Sequence, residues 1–340
     1  MILGFVEVSR ESLALAEAEA VSAAEALGGR AGDAYGMTDS LVAVELPDLP
    51  SFQTLAGRLA LARRCLIPLP APDGVVSAAA TQGGRGGTAS FRRIGRPSGG
   101  GVDDGILACG RAFKTGGGSI DLDRPTRRFW LAQGPDQAER LLEEVAAIDR
   151  VAPTRRRMPL LPFRRPVSLP PKLARAAVNL ARVVPGDAVM DPFLGTGALL
   201  AEAGLLGGRV YGIDRDPAMV RGSLRNFSYL GVGAEEFVVG DAREVGFSNA
   251  SIRFSAIVTD TPYGRSSSTG GASVAELIEE VMRRWSERLA PDGRILLIAP
   301  AGPAPPELPA QPRYRIPIRV HRSLTREFRL YERARSTSGS

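Results

Sequence analysis

The sequence predicts an α/β protein whose C-terminal half is a doubly wound, mostly parallel sheet with an antiparallel final strand. Three observations carry that expectation. From Pro170 onward, short apolar runs alternate with longer amphipathic ones, the pattern of parallel strands joined by crossover helices. The first of these strands empties into a glycine-rich turn, Asp191 to Gly197, at the mouth of a helix. The chain then ends on two β-rich runs, Tyr314 to Val320 and Glu327 to Tyr331, which read as a strand pair closing the sheet.

Taken in order, Ile2 to Val8 is β-rich, Ser9 is a candidate N-cap, and an Ala/Glu-rich helix runs from about Glu11 to Leu27 before Gly28-Gly29. Ser40 to Leu46 reads as a strand, Ser51 to Arg64 as a helix and Cys65 to Leu69 as a short strand. Residues 1–70 therefore make a small α+β module of the ferredoxin-like sort. Residues 71–150 change texture. Gly83 to Gly87 and Ser98 to Gly101 have loop composition, and Phe91 to Ile94 lies between them. A helix near Asp104 to Phe113, the run Ser119 to Leu122, a strand near Arg128 to Ala132 and a helix near Asp136 to Asp149 complete a second small module. Residues 151–168 form a linker. It carries Arg155, Arg156, Arg157, Arg164 and Arg165 among several prolines, so it is extended rather than helical. It is either a solvated connector or a basic strap across RNA phosphates.

Residues 169–340 hold the doubly wound part. Helices are expected at Lys172 to Val184, Ala198 to Leu206, Pro217 to Leu230 and Ala272 to Leu289. Strands are expected at Asp187 to Met190, Arg209 to Ile213, Phe237 to Val239, Arg253 to Thr259 and Arg294 to Ala299. No internal repeat is visible.

Composition narrows the function. The net charge of +6 favours a polyanionic partner, since each phosphate neutralised releases counterions. Two cysteines, Cys65 and Cys109, cannot build a disulfide framework, and their setting does not resemble a zinc site. A single histidine, His321, argues against a histidine-based triad or metal centre, so no metal is expected. The N-terminus lacks a basic leader and no apolar run is long enough for a bilayer, so a soluble, cytoplasmic protein is expected.

Four motifs carry chemistry. In Asp191-Pro-Phe193-Leu-Gly195-Thr196-Gly197 the glycines let a ligand approach the backbone. The third glycine of a dinucleotide fingerprint is missing, because Leu200 stands there. Asp191 would repel a pyrophosphate but attract the ammonium and sulfonium of S-adenosylmethionine. Asp214, followed by Arg215 at the next strand end, can accept from both ribose hydroxyls, while Asp216 before Pro217 is the better helix cap. Asp241-Ala242 follows the third strand, where a carboxylate can accept from the adenine amino group. Asp260-Thr261-Pro262-Tyr263-Gly264 closes the fourth strand. An exocyclic base amino group is a poor nucleophile because its lone pair is delocalised into the ring. The Asp260 carboxylate and the Thr261 carbonyl can draw its N–H bonds out of the ring plane, and Tyr263 offers a stacking face for an unstacked base.

These residues resemble the archaeal and eukaryotic tRNA guanine-N2 methyltransferases acting at position 10, which pair a THUMP domain with a Rossmann-like catalytic domain. The resemblance is strongest in Ser168 to Leu180, Asp191 to Gly197, Asp260 to Gly264 and His321 to Arg326. The stretch Gly118 to Pro125 resembles the end of a THUMP domain, so residues 71–150 are expected to bind RNA at the tRNA acceptor end. The family usually has two prolines in the catalytic turn, and Thr261 replaces the first, which leaves the rate and the choice between one and two methyl transfers open. The resemblance implies catalysis by Asp260, Thr261, Pro262 and Tyr263 with S-adenosylmethionine as cofactor and tRNA as partner. Arg322 and Arg326 are added to the linker arginines as RNA contacts, and His321 is given a hairpin-turn role. Apart from a small activating subunit, whose need stays open, a monomer is expected. Two rivals remain: an amino-methyltransferase acting on ribosomal RNA or DNA adenine, and a non-catalytic RNA-binding protein with a degenerate methyltransferase fold.

Overall fold

The computed structural model of the chain describes residues 1–33, 40–95, 103–134, 138–149, 151–152, 156, 160–165, 168–262, 274–301, 308, 311–321 and 324–332. They fold as two compact units, Met1–Asp149 and Arg150–Ser340.

In the first unit, strands β1 (Ile2–Val8), β2 (Arg30–Ala31), β3 (Leu41–Leu46), β4 (Ala62–Pro68), β5 (Thr88–Arg93), β6 (Ser119–Ile120), β7 (Arg127–Gln133) and β8 (Glu139–Ala147) form one sheet. Their order is β2-β3-β1-β4-β8-β7-β5-β6. Helices α1 (Leu13–Glu25), α2 (Pro50–Arg58), α3 (Val75–Gly83) and α4 (Asp104–Thr115) connect them. The stretches read as two N-terminal modules share this sheet, joined where β4 pairs antiparallel with β8.

Two local expectations are corrected here, and one helix is added. The run expected as a helix from Asp136 to Asp149 contains strand β8 instead. Leu141 packs with Phe91, Phe113 and Phe129 on one face, while the adjacent Leu142 packs with Trp130 and Leu66 on the other. Burial on both faces is what a central strand demands, and it overrides the helical propensity of Glu, Leu and Ala. The helix expected to reach Arg64 stops at Arg58. Its exit is fixed by the buried Glu19 carboxylate, which accepts from the N–H groups of Ala60 and Leu61 at 2.9 and 2.8 Å. Helix α3, Val75–Gly83, is an element the sequence reading did not anticipate, and it stops where the expected glycine-rich loop begins. Gly83 ends that helix in close approach to α4, where a Cβ would stand 2.1 Å from the Phe113 carbonyl oxygen.

In the second unit, β9 (Ala188–Asp191), β10 (Arg209–Asp214), β11 (Glu236–Val239), β12 (Phe254–Asp260), β13 (Leu289–Pro300), β14 (Tyr314–His321) and β15 (Leu324–Glu332) form a sheet. The order is β11-β10-β9-β12-β13-β15-β14, with four parallel pairs followed by two antiparallel ones. This is the mixed, doubly wound sheet the sequence predicts. Helices α5 (Pro171–Leu180), α6 (Ala198–Leu205), α7 (Pro217–Leu230) and α8 (Val274–Ser286) accompany it. Helix α5 ends four residues before the expected Val184. Asp216 caps α7 by accepting from Ala218 N at 2.7 Å, with Pro217 in the first turn, as its sequence position suggested.

Helix α8 buries Leu277, Ile278, Val281, Met282 and Trp285, a helical stripe laid on the sheet core of Met190, Ile213, Phe254, Ile257 and Leu297. Trp285 Nε1 donates to the Ala242 carbonyl at 2.9 Å, so the core itself anchors the loop after β11. Among the described residues no helix is long and apolar enough to cross a membrane.

Candidate active site

Chain order and strand order diverge between β9 and β12, since β10 and β11 build outward on one side and β13 on the other. Such a switch point opens a crevice beyond the carboxyl ends of the strands. Here it holds a cavity of about 490 Å³ whose lining includes the strand-end acids Asp191, Asp214, Asp241 and Asp260, a size suited to a small-molecule ligand.

Each acid is held differently. Asp191 is 2% exposed, and its Oδ1 accepts from Phe193 N at 2.9 Å and from Thr259 Oγ1 at 2.7 Å. Burial pushes its carboxyl up to about 7, with Asp260 and Asp214 adding repulsion. Asp214 accepts from Gly195 N at 2.8 Å through Oδ2 and from Asp216 N at 2.9 Å through Oδ1. It thereby ties the second strand end to the glycine-rich turn, and burial raises its pKa too. Asp241 is chelated by Arg243, with Nε at 3.0 Å from Oδ1 and Nη2 at 2.8 Å from Oδ2. That pairing, helped by Arg215, holds it down to about 2. Much of the acceptor capacity expected of Asp241 is therefore taken by Arg243.

Asp260 ends β12. Its Oδ2 accepts from Arg326 Nη1 at 2.5 Å. Its Oδ1 is buried without a hydrogen-bond partner among the described residues, which is costly unless a ligand completes it. Burial pushes this carboxyl up to about 6, against the lowering effect of Arg326. Thr261 is buried, and both its N–H, at 2.9 Å, and its Oγ1, at 3.2 Å, donate to the Ile298 carbonyl. Pro262 lines the cavity. Tyr263 lies outside the described residues.

The turn itself is shaped for close approach. Gly195 and Gly197 have φ of 53° and 80°, in the left-handed region. A Cβ at Gly195 would meet nothing nearer than 3.8 Å, whereas one at Gly197 would press on Phe227 and Ser223 at 3.0 Å. Phe193 and Thr196 line the cavity alongside.

The arginines expected to meet RNA separate. Arg165 lines the cavity, its guanidinium 4.9 Å from the Phe163 ring. That segment is fastened by Asn226, whose Oδ1 accepts from Phe163 N at 2.9 Å and whose Nδ2 donates to the carbonyls of Phe163 and Thr196. Thr196 Oγ1 donates to Ser168 Oγ, which donates to the Arg165 carbonyl. Arg164 is exposed. Arg156, expected as an RNA contact, is instead bonded to the buried Glu202 at 2.8 and 3.1 Å, with Arg175 on the same carboxylate. Arg326 likewise is corrected: at 4% exposure and bonded to Asp260, it has no surface to offer a phosphate. Arg155, Arg157 and Arg322 lie outside the described residues, and His321 ends β14 opposite Leu324 at the hairpin.

Sequence reasoning missed Thr259, Asn226, Ser168 and the Arg326–Asp260 pair. Thr259, next to the strand-end acid, was legible as a neighbour. The others meet across 28 to 66 residues of chain.

The crevice thus gathers carboxylates whose burial raises three of them, and it favours a ligand with positive charge. S-adenosylmethionine, with its ammonium and sulfonium, fits that donor set and the space left open at Gly195.

Residues 160–316 match the UPF0020 family model, described as an RMKL-like methyltransferase domain. The chain is 42% identical over 175 residues to the tRNA (guanine(10)-N2)-dimethyltransferase of Methanothermobacter thermautotrophicus, covering 51% of either chain. It is 49% identical over 105 residues to the enzyme of that name from Pyrococcus abyssi, covering 31% of either chain. The chain thus spans about half, or less, of the length of these relatives. To the “Probable tRNA (guanine(10)-N2)-dimethyltransferase” of Methanothermococcus thermolithotrophicus it is 33% identical over 168 residues, 48% of this chain and 98% of that one. Among solved structures, TrmN from Thermus thermophilus aligns over 97% of this chain and 99% of that one at 21% identity and a TM-score of 0.47, too loose to carry weight. On its likeness to these sequences, the chain belongs to the tRNA (guanine(10)-N2)-methyltransferase family.

Proposed function

We propose that this protein transfers a methyl group from S-adenosylmethionine to N2 of a guanosine in tRNA, at position 10. The observation that carries the proposal is Oδ1 of Asp260, buried without a partner among the described residues, on a residue that lines the acid-rich crevice. Asp191, Phe193, Gly195, Thr196, Gly197, Asp214, Arg215, Asp241 and Ala242 would hold the cofactor, of which all but Gly197 line the cavity. When bound, it supplies a methyl carbon on a cationic sulfur that departs as a neutral thioether.

The chain's own residues do the rest. Asp260 Oδ1 accepts one N–H of the base amino group and the Thr261 carbonyl accepts the other, turning the nitrogen lone pair towards the methyl carbon. After transfer the nitrogen must shed a proton, and a carboxyl raised to about 6 can take it up and release it near neutrality. Pro262 walls the pocket, and stacking of the base is assigned to Tyr263. Residues 71–150, with the THUMP-like ending Gly118 to Pro125, are assigned to the tRNA acceptor end. Exposed Arg164 and cavity-lining Arg165 are assigned to nearby phosphates.

Single-turnover methyl transfer to one tRNA transcript tests the assignment. Asp260→Ala should fold, bind both ligands and react about a hundredfold to a thousandfold more slowly. Near wild-type turnover in that variant would move the chemistry elsewhere.

A further inference from the structure

The two oxygens of Asp260 have different fates. Oδ2 is bonded to Arg326 at 2.5 Å, while Oδ1 is buried with no partner among the described residues. The sheet register explains why Arg326 arrives there. Asp260 on β12 pairs with Ile298 on β13, and Ile298 pairs with Phe328 on β15. These three side chains stand in a row on one face of the sheet, and Arg326, two residues from Phe328, shares that face. Its position opposite Pro300 places it level with the strand ends. Two strand spacings, about 10 Å, separate the two backbones, a gap that a guanidinium can bridge and a short side chain cannot.

We propose that Arg326 is the positioning residue of the transfer: by taking one oxygen of Asp260 it fixes the other, ionised, as the acceptor for the base amino group. This rests on the amino-methyltransferase reading above.

Among the described residues, few other charges face that carboxylate. From β9 comes Asp191, which repels it. On β15 the neighbouring Glu327 and Arg329 alternate to the opposite face and bond each other. Glu202 on α6, which also packs on β12, is held by Arg156 and Arg175. The charged residues of β13, Asp292 and Arg294, lie towards its far end. Two consequences follow. With Arg326 gone, burial raises the Asp260 carboxyl unopposed, so the acceptor form persists only at higher pH. In Asp260→Asn, Arg326 would claim the amide oxygen and leave the NH₂ facing the substrate, donor against donor.

The test uses the full chain as wild type, Arg326→Met, Arg326→Gln, Asp260→Ala and Asp260→Asn. Single-turnover rates are measured against pH. The carboxyl titration of the protein alone, without cofactor or tRNA, is followed by infrared difference against Asp260→Asn. Both neutral Arg326 variants should move the acid limb of the rate and the infrared midpoint upward by about one pH unit or more, with turnover recovering at high pH. Asp260→Asn should be as slow as Asp260→Ala. If one Arg326 variant fails to fold, the other gives the same reading. A slow Asp260→Ala with an unmoved limb and midpoint in the Arg326 variants would overturn this inference alone. An Asp260→Asn rate well above that of Asp260→Ala would overturn the oriented-oxygen geometry. An active Asp260→Ala would remove the amino-methyltransferase reading and the inference with it.

Discussion

Asp191 is 2% exposed and accepts from Phe193 N and Thr259 Oγ1 through the same oxygen. In Asp191→Asn the amide oxygen can keep both bonds while the charge disappears. Burial pushes the wild-type carboxyl from 3.8 up to about 7, a rise of three units. At about 1.4 kcal/mol per unit, the ionised form weighs on the fold by roughly 4 kcal/mol. The sign follows from linkage. A folded-state pKa above the unfolded one means that folding takes up a proton, so stability is complete below about pH 4 and drains away as pH rises towards 7. The asparagine variant lacks that slope. Its advantage in the cofactor-free protein should be near zero at pH 4, grow through pH 5 and 6, and level off above pH 7. For a unit of this size that corresponds to a rise in Tm on the order of 10 °C at pH 8. The same variant should bind S-adenosylmethionine poorly, because the cation loses its buried counter-charge. Thermal unfolding of both proteins across pH 4–8 measures the difference. A difference that does not vary with pH would refute the claim that Asp191 is held against its own burial.

Asp214 closes the glycine-rich turn on Gly195 N, so Asp214→Ala should weaken S-adenosylmethionine binding by roughly 1.5–3 kcal/mol, the scale of charged hydrogen bonds. Unchanged affinity by calorimetry would remove Asp214 from the cofactor site. Thr261→Pro restores the usual family turn but deletes the N–H and hydroxyl that both reach the Ile298 carbonyl. It should cost about 1–3 kcal/mol in urea unfolding, and a variant as stable as wild type would make those bonds dispensable. Residues 150–340 carry their own sheet and core. Alone they should bind S-adenosylmethionine like the full chain yet bind tRNA more weakly and with a shallower salt dependence. Equal tRNA affinity for fragment and full chain would sink the division of labour.

The doubly wound sheet was legible because its strands are short, apolar and evenly separated by amphipathic helices, and because an acid marks each site-facing strand end. Asp191, Asp214, Asp241 and Asp260 could be placed at one crevice from that rhythm alone, and all four line the cavity. The first unit was harder. Glu139–Ala147 has the composition of a helix, and only the burial of Leu141 and Leu142 on opposite faces makes it a strand. That depends on what packs against it, which local propensity does not encode. The roles of the arginines were not legible either. Arg156, Arg165 and Arg326 look alike in a basic sequence, yet one is spent on Glu202, one lines the cavity and one grips Asp260. Pairing across 46 or 66 residues depends on hairpin register and helix placement, not on spacing.

Mass spectrometry of nucleosides from a treated transcript tests the central claim most directly. Two tRNA transcripts are incubated with the protein and S-adenosylmethionine, one with guanosine at position 10 and one with inosine, which lacks the exocyclic amino group. The account predicts N2-methylated guanosine from the first and no methylation at position 10 of the second. Methylated adenosine, or equal methyl incorporation at position 10 of the inosine transcript, would contradict it.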